Sequence, residues 1–384
     1  MTGDRQIMLA AGGTGGHIFP AISVAEEMLK RGYRVSLITD SRGVDLGRTL
    51  SEVQVYRINA SRIRGNIPQK VSGVLSIGIG VLQARRLFSR HRPLCVIGFG
   101  GYPSVPTMLA ATLSKLPTII HEQNAVIGRA NRLVAKRVST IATSFNETAG
   151  VDAGSASKIT HTGNPVRAAF SQARQTPYPR IGPNGEDIRI LVLGGSQGAT
   201  VFSDIVPAAI TNMPETLRRR FAITQQCRPE DIDRAWAKYA SVGVASELST
   251  FFDDMPQRMA AAHIIITRSG ASTVAELAEA GRPAILVPYP HATDDHQSAN
   301  ARSVENHGAG WLIPHDGFTP EALTMHLERF VNHPDVLNAA AAAAHQTGGK
   351  KAAAKLADLA VSLGGKTVAG GAGQSKCGVR EMAA

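Results

Sequence analysis

Cysteine is nearly missing from this chain: Cys95, Cys227 and Cys377 are the only three, far apart and without a CxxC pair. That excludes a disulfide scaffold and a cysteine-based metal site, and fits a reducing compartment. Aromatic residues make up only 5% and do not alternate with the basic ones, so the sequence offers no stacking platform for nucleic acid. Long apolar runs are absent too. The longest, Val71 to Leu82, falls well short of the roughly 20 residues a spanning helix needs. The opening MTGDRQIMLAAGG enters a strand almost at once, which leaves no room for a signal peptide. The expectation is a protein that works on the cytoplasmic side and does not cross the membrane. What is plentiful is positive charge. With 41 Lys and Arg against 30 Asp and Glu the formal net charge is +11, which favours a phosphorylated ligand or an anionic lipid surface.

At 384 residues the chain is long enough for about two domains, and 43% hydrophobic with 18% charged residues excludes wholesale disorder. Short apolar runs alternate with amphipathic stretches, the pattern of an α/β protein with parallel sheets. Strands are expected near 6–11, 34–39, 53–58, 94–98, 117–121 and 138–143. A helix follows the first, with Pro20 in its first turn, Ile22, Ala25 and Leu29 on one face, and Gly32 at its end. The Pro/Gly/Arg-rich stretch at 173–187 breaks the pattern as a linker would. The scheme restarts with IRILVLGGSQGA, then strands near 220–226, 247–251, 263–267, 284–288 and 311–313. Each half thus opens with a buried strand, a glycine-rich turn and a helix. Two Rossmann-like domains facing a cleft are expected, with ligands at the carboxyl ends of their strands. The Gly/Ala-rich stretch after Leu363 reads as a disordered tail.

The turn Gly12-Gly13-Thr14-Gly15-Gly16-His17 lets backbone approach a ligand and aims helix N–H groups at phosphate. It lacks both the GxGxxG and the Walker spacing, so NAD and ATP are not indicated. Gly194-Gly195-Ser196-Gln197-Gly198 is a second elbow of the same kind. Asp231-Ile232-Asp233 matches a metal-binding DxD literally, but Pro229 and Glu230 precede it. It reads as acid at a helix start, and no metal is expected. In Arg268-Ser269-Gly270-Ala271-Ser272-Thr273-Val274-Ala275-Glu276, Thr273 and Glu276 have capping-box spacing. Alternatively the same helix start faces a diphosphate while Glu276 accepts from ribose hydroxyls. His121-Glu122-Gln123-Asn124 ends another strand, either as a polar turn or as cleft-facing ligands. Gln297 is the best sugar-hydroxyl partner in the Asp/His-rich loop at 288–297, and Arg167 lies beside the linker in Gly163-Asn164-Pro165-Val166-Arg167.

Together GGTGGH, GFGGYPS at 98–104, HEQN, GNPVR, GGSQGA, FFDDM at 251–255, RSGAST and DDHQ resemble, in order and spacing, the MurG family of bacterial transferases. These move N-acetylglucosamine from UDP onto the 4-hydroxyl of the undecaprenyl-diphosphate-linked muramyl sugar, lipid I, and so make lipid II. The resemblance runs from about residue 7 to about residue 345. It implies a GT-B fold, an N-terminal domain over 1–166 on the acceptor and membrane side, a donor-side domain over 167–363, and inversion without a protein-bound metal or other cofactor. It implies that Thr14, Gly15, Gly16, Asn124, Arg167, Ser196 and Gln297 bind substrate, and that Phe252, by its backbone (the residue is Ile in many family members), and the turn from Ala271 through Ser272 and Thr273 to Glu276 hold the uridine. It further implies peripheral attachment to the cytoplasmic face of the inner membrane, and cell-wall and division proteins as partners. The basic cluster Arg85, Arg86, Arg90 and Arg92 after the apolar stretch suits that attachment, and a buried helix with a solvated basic end is the alternative. Inversion needs a base for the acceptor hydroxyl. His17, at a helix N-terminus that disfavours imidazolium, is the first candidate and Glu122 the rival. Another GT-B lipid-sugar transferase or a UDP-N-acetylglucosamine 2-epimerase is the alternative, because fold alone does not fix the reaction.

Overall fold

A computed structural model describes residues 5–12, 14–40, 51–60, 67–181, 188–195 and 198–372. The N-terminal lobe contains β1 (Gln6–Ala10), α1 (Gly15–Lys30), β2 (Arg34–Thr39), β3 (Gln54–Arg57), α2 (Ile67–His91), β4 (Cys95–Gly98) and α3 (Ser104–Leu113). It continues with β5 (Thr118–Glu122), α4 (Arg129–Val134), β6 (Thr140–Thr143) and β7 (Ile159–His161); α5 (Ala168–Ala173) follows and buries Phe170 in the core of the second lobe. The second lobe holds β8 (Ile188–Leu193), α6 (Thr200–Asn212), α7 (Glu215–Arg218), β9 (Phe221–Gln226), α8 (Ile232–Ser241), β10 (Ala245–Ser249) and α9 (Met255–Ala261). After these come β11 (Ile264–Thr267), α10 (Ala271–Ala280), β12 (Ala284–Leu286), α11 (His296–Asn306), β13 (Gly310–Leu312), α12 (Pro320–Asn332), α13 (Pro334–Thr347) and α14 (Ala352–Ala372).

All strand pairs are parallel. The sheets have the orders β3-β2-β1-β4-β5-β6-β7 and β10-β9-β8-β11-β12-β13, so β1 and β8 are interior strands flanked on both sides. A strand covered on both faces is apolar throughout, and β1 is buried at every residue. In each sheet the strand order reverses beside that interior strand, which puts the glycine elbow of each half at a topological switch point. The expected strands are present within about two residues, and β7 was not anticipated. It is a three-residue edge strand, too short and too exposed to carry a periodicity.

Two local expectations are corrected. Helix α1 begins at Gly15, so Pro20 lies inside it rather than in the first turn; glycines at 15 and 16 start the helix earlier than the proline signals. Gly32, at φ +78°, ends it as expected. The stretch after Leu363, expected as a disordered tail, continues α14 to Ala372; residues 373–384 lie outside the described residues. The composition misled because alanine and glycine read as low complexity, although Leu356, Ala360 and Leu363 form a helical stripe. Leu356, Ala357 and Ala360 bury themselves among Ile18, Ala25 and Met28 of the N-terminal lobe, and Arg31 pairs with Asp358 at 2.6 Å. The last helix therefore crosses back and ties the two lobes together.

Candidate active site

The N-terminal wall of the cleft is built by two glycine turns packed backbone to backbone. A Cβ on Gly101, whose φ is +74°, would come within 2.9 Å of Gly12 Cα. This contact fixes the start of α1. Thr14 is the residue before the helix, exposed and with no side-chain bond to the helix backbone, so its hydroxyl and the N–H groups of Gly15 and Gly16 are available to a ligand. His17 follows on the first turn. With Thr14, Tyr102, Glu122, Asn124 and Asn131 it lines a cavity of about 280 Å³.

His17 Nδ1 lies 3.3 Å from Gln123 Oε1. Burial lowers the pKa of the ring, opposed by the nearby Glu122 charge and the Gln123 contact; the imidazole is neutral and able to accept a proton. Glu122 is differently placed. Its Oε1 accepts from the Asn124 backbone at 3.0 Å and Asn124 Nδ2 at 3.3 Å, and its Oε2 from Gly128 N and Asn131 Nδ2, both at 2.8 Å. Four donors occupy both oxygens and fold the loop after β5 around the carboxylate.

On the opposite wall, α10 starts at the carboxyl end of β11. Its N-cap is Gly270, so Thr273 lies inside the helix and the capping-box alternative does not hold. Glu276 instead takes a bond from Arg167 Nη2 at 2.9 Å. Burial raises its pKa against the pull of that guanidinium. Arg167 is clasped by the rings of Phe19 and Phe170, at 4.8 and 4.9 Å. Asn164 Nδ2 donates to the carbonyl of Ala271 at 3.2 Å. Around this helix start Ser272 Oγ, Asn164 Oδ1 and Arg167 Nε are buried without partners among the described residues. Three such atoms around one helix start leave hydrogen-bonding capacity that a polar ligand can use. Gln297, second in α11, spends Oε1 on Tyr289 N at 2.9 Å and keeps its amide N–H groups.

Phe252, expected to act through its backbone, has its ring buried under the Arg258 guanidinium at 4.2 Å. Ser196 lies outside the described residues; Gly195 and Gly198 beside it have φ of +78° and +68°. Asp231 is held by Arg234 at 2.6 Å at the start of α8, as acid at a helix terminus. A larger cavity, about 540 Å³, lies between α1, α10 and the segment at 350–354 and includes Ala271 alone of the expected site residues. Size does not identify the site; the smaller cavity is the one that brings His17 and Glu122 together at the glycine turns.

Sequence reading missed the residues that join the lobes. Asn300, fully buried on α11, donates from Nδ2 to Ser269 O at 3.0 Å and to Asn124 Oδ1 at 3.1 Å, and accepts from Ala125 N at 2.8 Å. At the rim Arg129 makes a two-pronged bond to Asp294, at 2.9 and 3.3 Å. Asp294 and Asp295 both have positive φ, +54° and +51°, in the loop expected to meet sugar.

Comparison with known proteins bears on the same regions. Residues 7–143 match the glycosyltransferase family 28 N-terminal domain and residues 189–359 its C-terminal domain. The chain is 51% identical over 360 residues to a protein of Paramagnetospirillum magneticum, covering 93% of this chain and 96% of that one. It is 52% identical over 359 residues to one of Rhodospirillum centenum, covering 94% of each. Both are named as UDP-N-acetylglucosamine–N-acetylmuramyl-(pentapeptide) pyrophosphoryl-undecaprenol N-acetylglucosamine transferase. The crystal structure of Acinetobacter baumannii MurG superposes with a TM-score of 0.76 at 29% identity, covering 92% of this chain and 98% of that one. A Neisseria meningitidis UDP-GlcNAc 2-epimerase, at 15% identity and a TM-score of 0.61, shares the fold alone.

Proposed function

The chain belongs to glycosyltransferase family 28, and from that membership and the cleft we infer its reaction: transfer of N-acetylglucosamine from UDP to the 4-hydroxyl of the muramyl sugar of lipid I, with inversion, giving lipid II. The observation that carries this reading is the meeting of two half-sites. His17 and Thr14 line one wall, and the orphaned Ser272, Asn164 and Arg167 atoms with Glu276 surround the helix start on the other. We divide the chain accordingly, with residues 1–166 on the acceptor side and 167–363 on the donor side.

In the displacement, the acceptor oxygen attacks the anomeric carbon as its proton passes to His17. The bond from that carbon to the β-phosphate oxygen breaks, and its electron pair leaves with UDP. Glu276 holds ribose hydroxyls, and Arg167 lies close enough to share the donor with it. Helix starts at Gly15 and Ala271 offer N–H groups to the diphosphate. Glu122, saturated by four donors, shapes the loop, and the base role falls to His17.

Peripheral attachment to the cytoplasmic face of the cell membrane is supported by α2. Val74, Leu75, Ile79 and Leu82 are exposed by 42–67%, and Arg85, Arg86 and Arg90 lie exposed on the next turns. An apolar helix face followed by cations suits shallow insertion among anionic headgroups. No helix of the described residues is long and apolar enough to span a bilayer. The test of the reaction is direct: radiolabelled UDP-N-acetylglucosamine with a lipid I analogue gives a labelled lipid-linked disaccharide, whereas free labelled N-acetylmannosamine or no lipid product contradicts the reading.

A further inference from the structure

Gln123 stands between two imidazoles. Its Oε1 is 3.3 Å from His17 Nδ1, and its Nε2 is 2.9 Å from the carbonyl oxygen of Phe99 and 3.1 Å from both Nδ1 and the carbonyl oxygen of His121. Which end of a carboxamide faces which neighbour follows from what those neighbours can donate or accept. The far end of the chain of bonds decides it. His121 Nε2 lies 3.0 Å from the Gly163 carbonyl oxygen, which only accepts, so Nε2 carries the proton. His121 is fully buried, and burial pushes its pKa down to about 4, so the ring is neutral and Nδ1 presents a lone pair. That lone pair and the carbonyls of Phe99 and His121 all face this end of the amide, and only the Gln123 NH₂ group can donate to them. Turning the amide round would set its oxygen against three acceptors. The amide oxygen is thereby committed to His17 Nδ1, which must donate to it. Nε2 is then the basic nitrogen of His17.

We propose that Gln123 is a positioning residue: anchored through His121 on the Gly163 carbonyl, it holds His17 in the Nδ1–H tautomer and so presents Nε2 as the lone pair that takes the acceptor hydroxyl proton. This rests on His17 as the base. The proton moves from the muramyl oxygen to Nε2 while that oxygen bonds to the anomeric carbon and UDP departs. Gln123 never touches substrate; its effect passes through the ring. The groups that bear on His17 are Glu122, Gln123 and His121 from the β5 end, the Phe99 carbonyl after β4, and His296 at the start of α11. Glu122, Gln123 and Phe99 favour the protonated ring, and His296 opposes it.

The test begins with the unaltered protein. In ¹⁵N-resolved imidazole NMR at pH 7.5, with His17 assigned by its loss in His17→Asn, the expected pattern is a protonated Nδ1 and a bare Nε2 for His17, and the reverse for His121. A His17 ring protonated at Nε2 overturns the proposal without recourse to any variant. Gln123→Met removes the acceptor at similar volume. It should lower kcat about tenfold or more, leave the donor KM within about twofold, and move the acidic limb of the pH–rate profile to lower pH. Lost activity with an unmoved limb means that Gln123 is merely structural. Gln123→Glu restores an acceptor beside Nδ1 and should move the limb the other way. If the NMR pattern is as expected but His17→Asn keeps the limb, the tautomer stands and it is the base role that fails.

Discussion

Asn124 Oδ1 in the N-terminal lobe accepts a hydrogen bond from Asn300 Nδ2 in the second lobe at 3.1 Å, and the backbone N–H of Ala125 returns one to Asn300 Oδ1 at 2.8 Å. The loop that carries an expected substrate ligand is therefore registered against the opposite lobe by one buried amide. A cleft enzyme needs its two half-sites held to a fraction of an ångström, and this amide contributes to that registration.

Replacing Asn300 separates the registration from the chemistry. Asn300→Ala leaves Asn124 Oδ1, Ala125 N and Ser269 O short of a partner and should cost roughly 1–3 kcal/mol. Asn300→Asp should cost more, since a carboxylate oxygen would replace the amide N–H groups facing the Ser269 and Asn124 oxygens. Denaturant titration of both variants checks the order. Asn300→Asp at wild-type stability contradicts it.

Glu276 and Arg167 give a prediction for the donor. Glu276→Ala should raise the KM for UDP-N-acetylglucosamine by the equivalent of about 1.5–3 kcal/mol, because charge-assisted bonds to ribose are lost. The helix itself should survive, since Gly270 and not Thr273 occupies the N-cap. Initial-rate kinetics alongside circular dichroism separate the two effects; an unchanged donor KM argues against the ribose role.

For the membrane face, liposome sedimentation provides the measurement. Binding to vesicles with anionic lipid should weaken in Leu75→Asp and Leu82→Asp, and more gently, with a loss of salt sensitivity, when Arg85 and Arg86 are reversed to Glu. Binding indifferent to salt, to lipid charge and to these changes removes α2 as the docking element.

His263 predicts a pH dependence of stability. Buried behind β8, its Nδ1 accepts from Arg189 N at 2.9 Å, and burial with the nearby Arg189 charge pushes its pKa to about 4. Between pH 6.5 and 4 the unfolded chain binds a proton that the folded one refuses. Its contribution is thus present above pH 6.5 and is lost as pH falls through that window, at about 1.4 kcal/mol per pH unit at the steepest. His263→Gln should flatten the slope of unfolding free energy between pH 6.5 and 5 relative to the parent. Equal slopes contradict the assignment.

Much of this site was legible because its signals are local. Gly32, at φ +78°, reports a turn that favours glycine, Gly12 a close backbone approach to Gly101, and buried strands such as Ile264–Thr267 write their own boundaries in apolar runs. The fold class followed from the alternation of those runs. The rest depends on partners distant in the chain. Asn300 meets Asn124 across 176 positions, and Glu276 meets Arg167 across 109, so neither spacing nor period displays the contact. Within its own helix Glu276 looked equally like a capping residue. The end of α14 was missed for a different reason: alanines and glycines form a helix there because the N-terminal lobe supplies the surface they bury against.

The pH–rate profile of kcat for transfer to a lipid I analogue, measured for the unaltered enzyme, His17→Ala and Glu122→Gln, tests the central claim most directly. His17 at a lowered pKa predicts an acidic limb below 6.5 in the unaltered enzyme. The account predicts that His17→Ala lowers kcat by about 100-fold or more, keeps donor binding nearly intact and abolishes that limb, while Glu122→Gln retains it. If His17→Ala keeps the limb and Glu122→Gln removes it, the base is Glu122 and the account is contradicted.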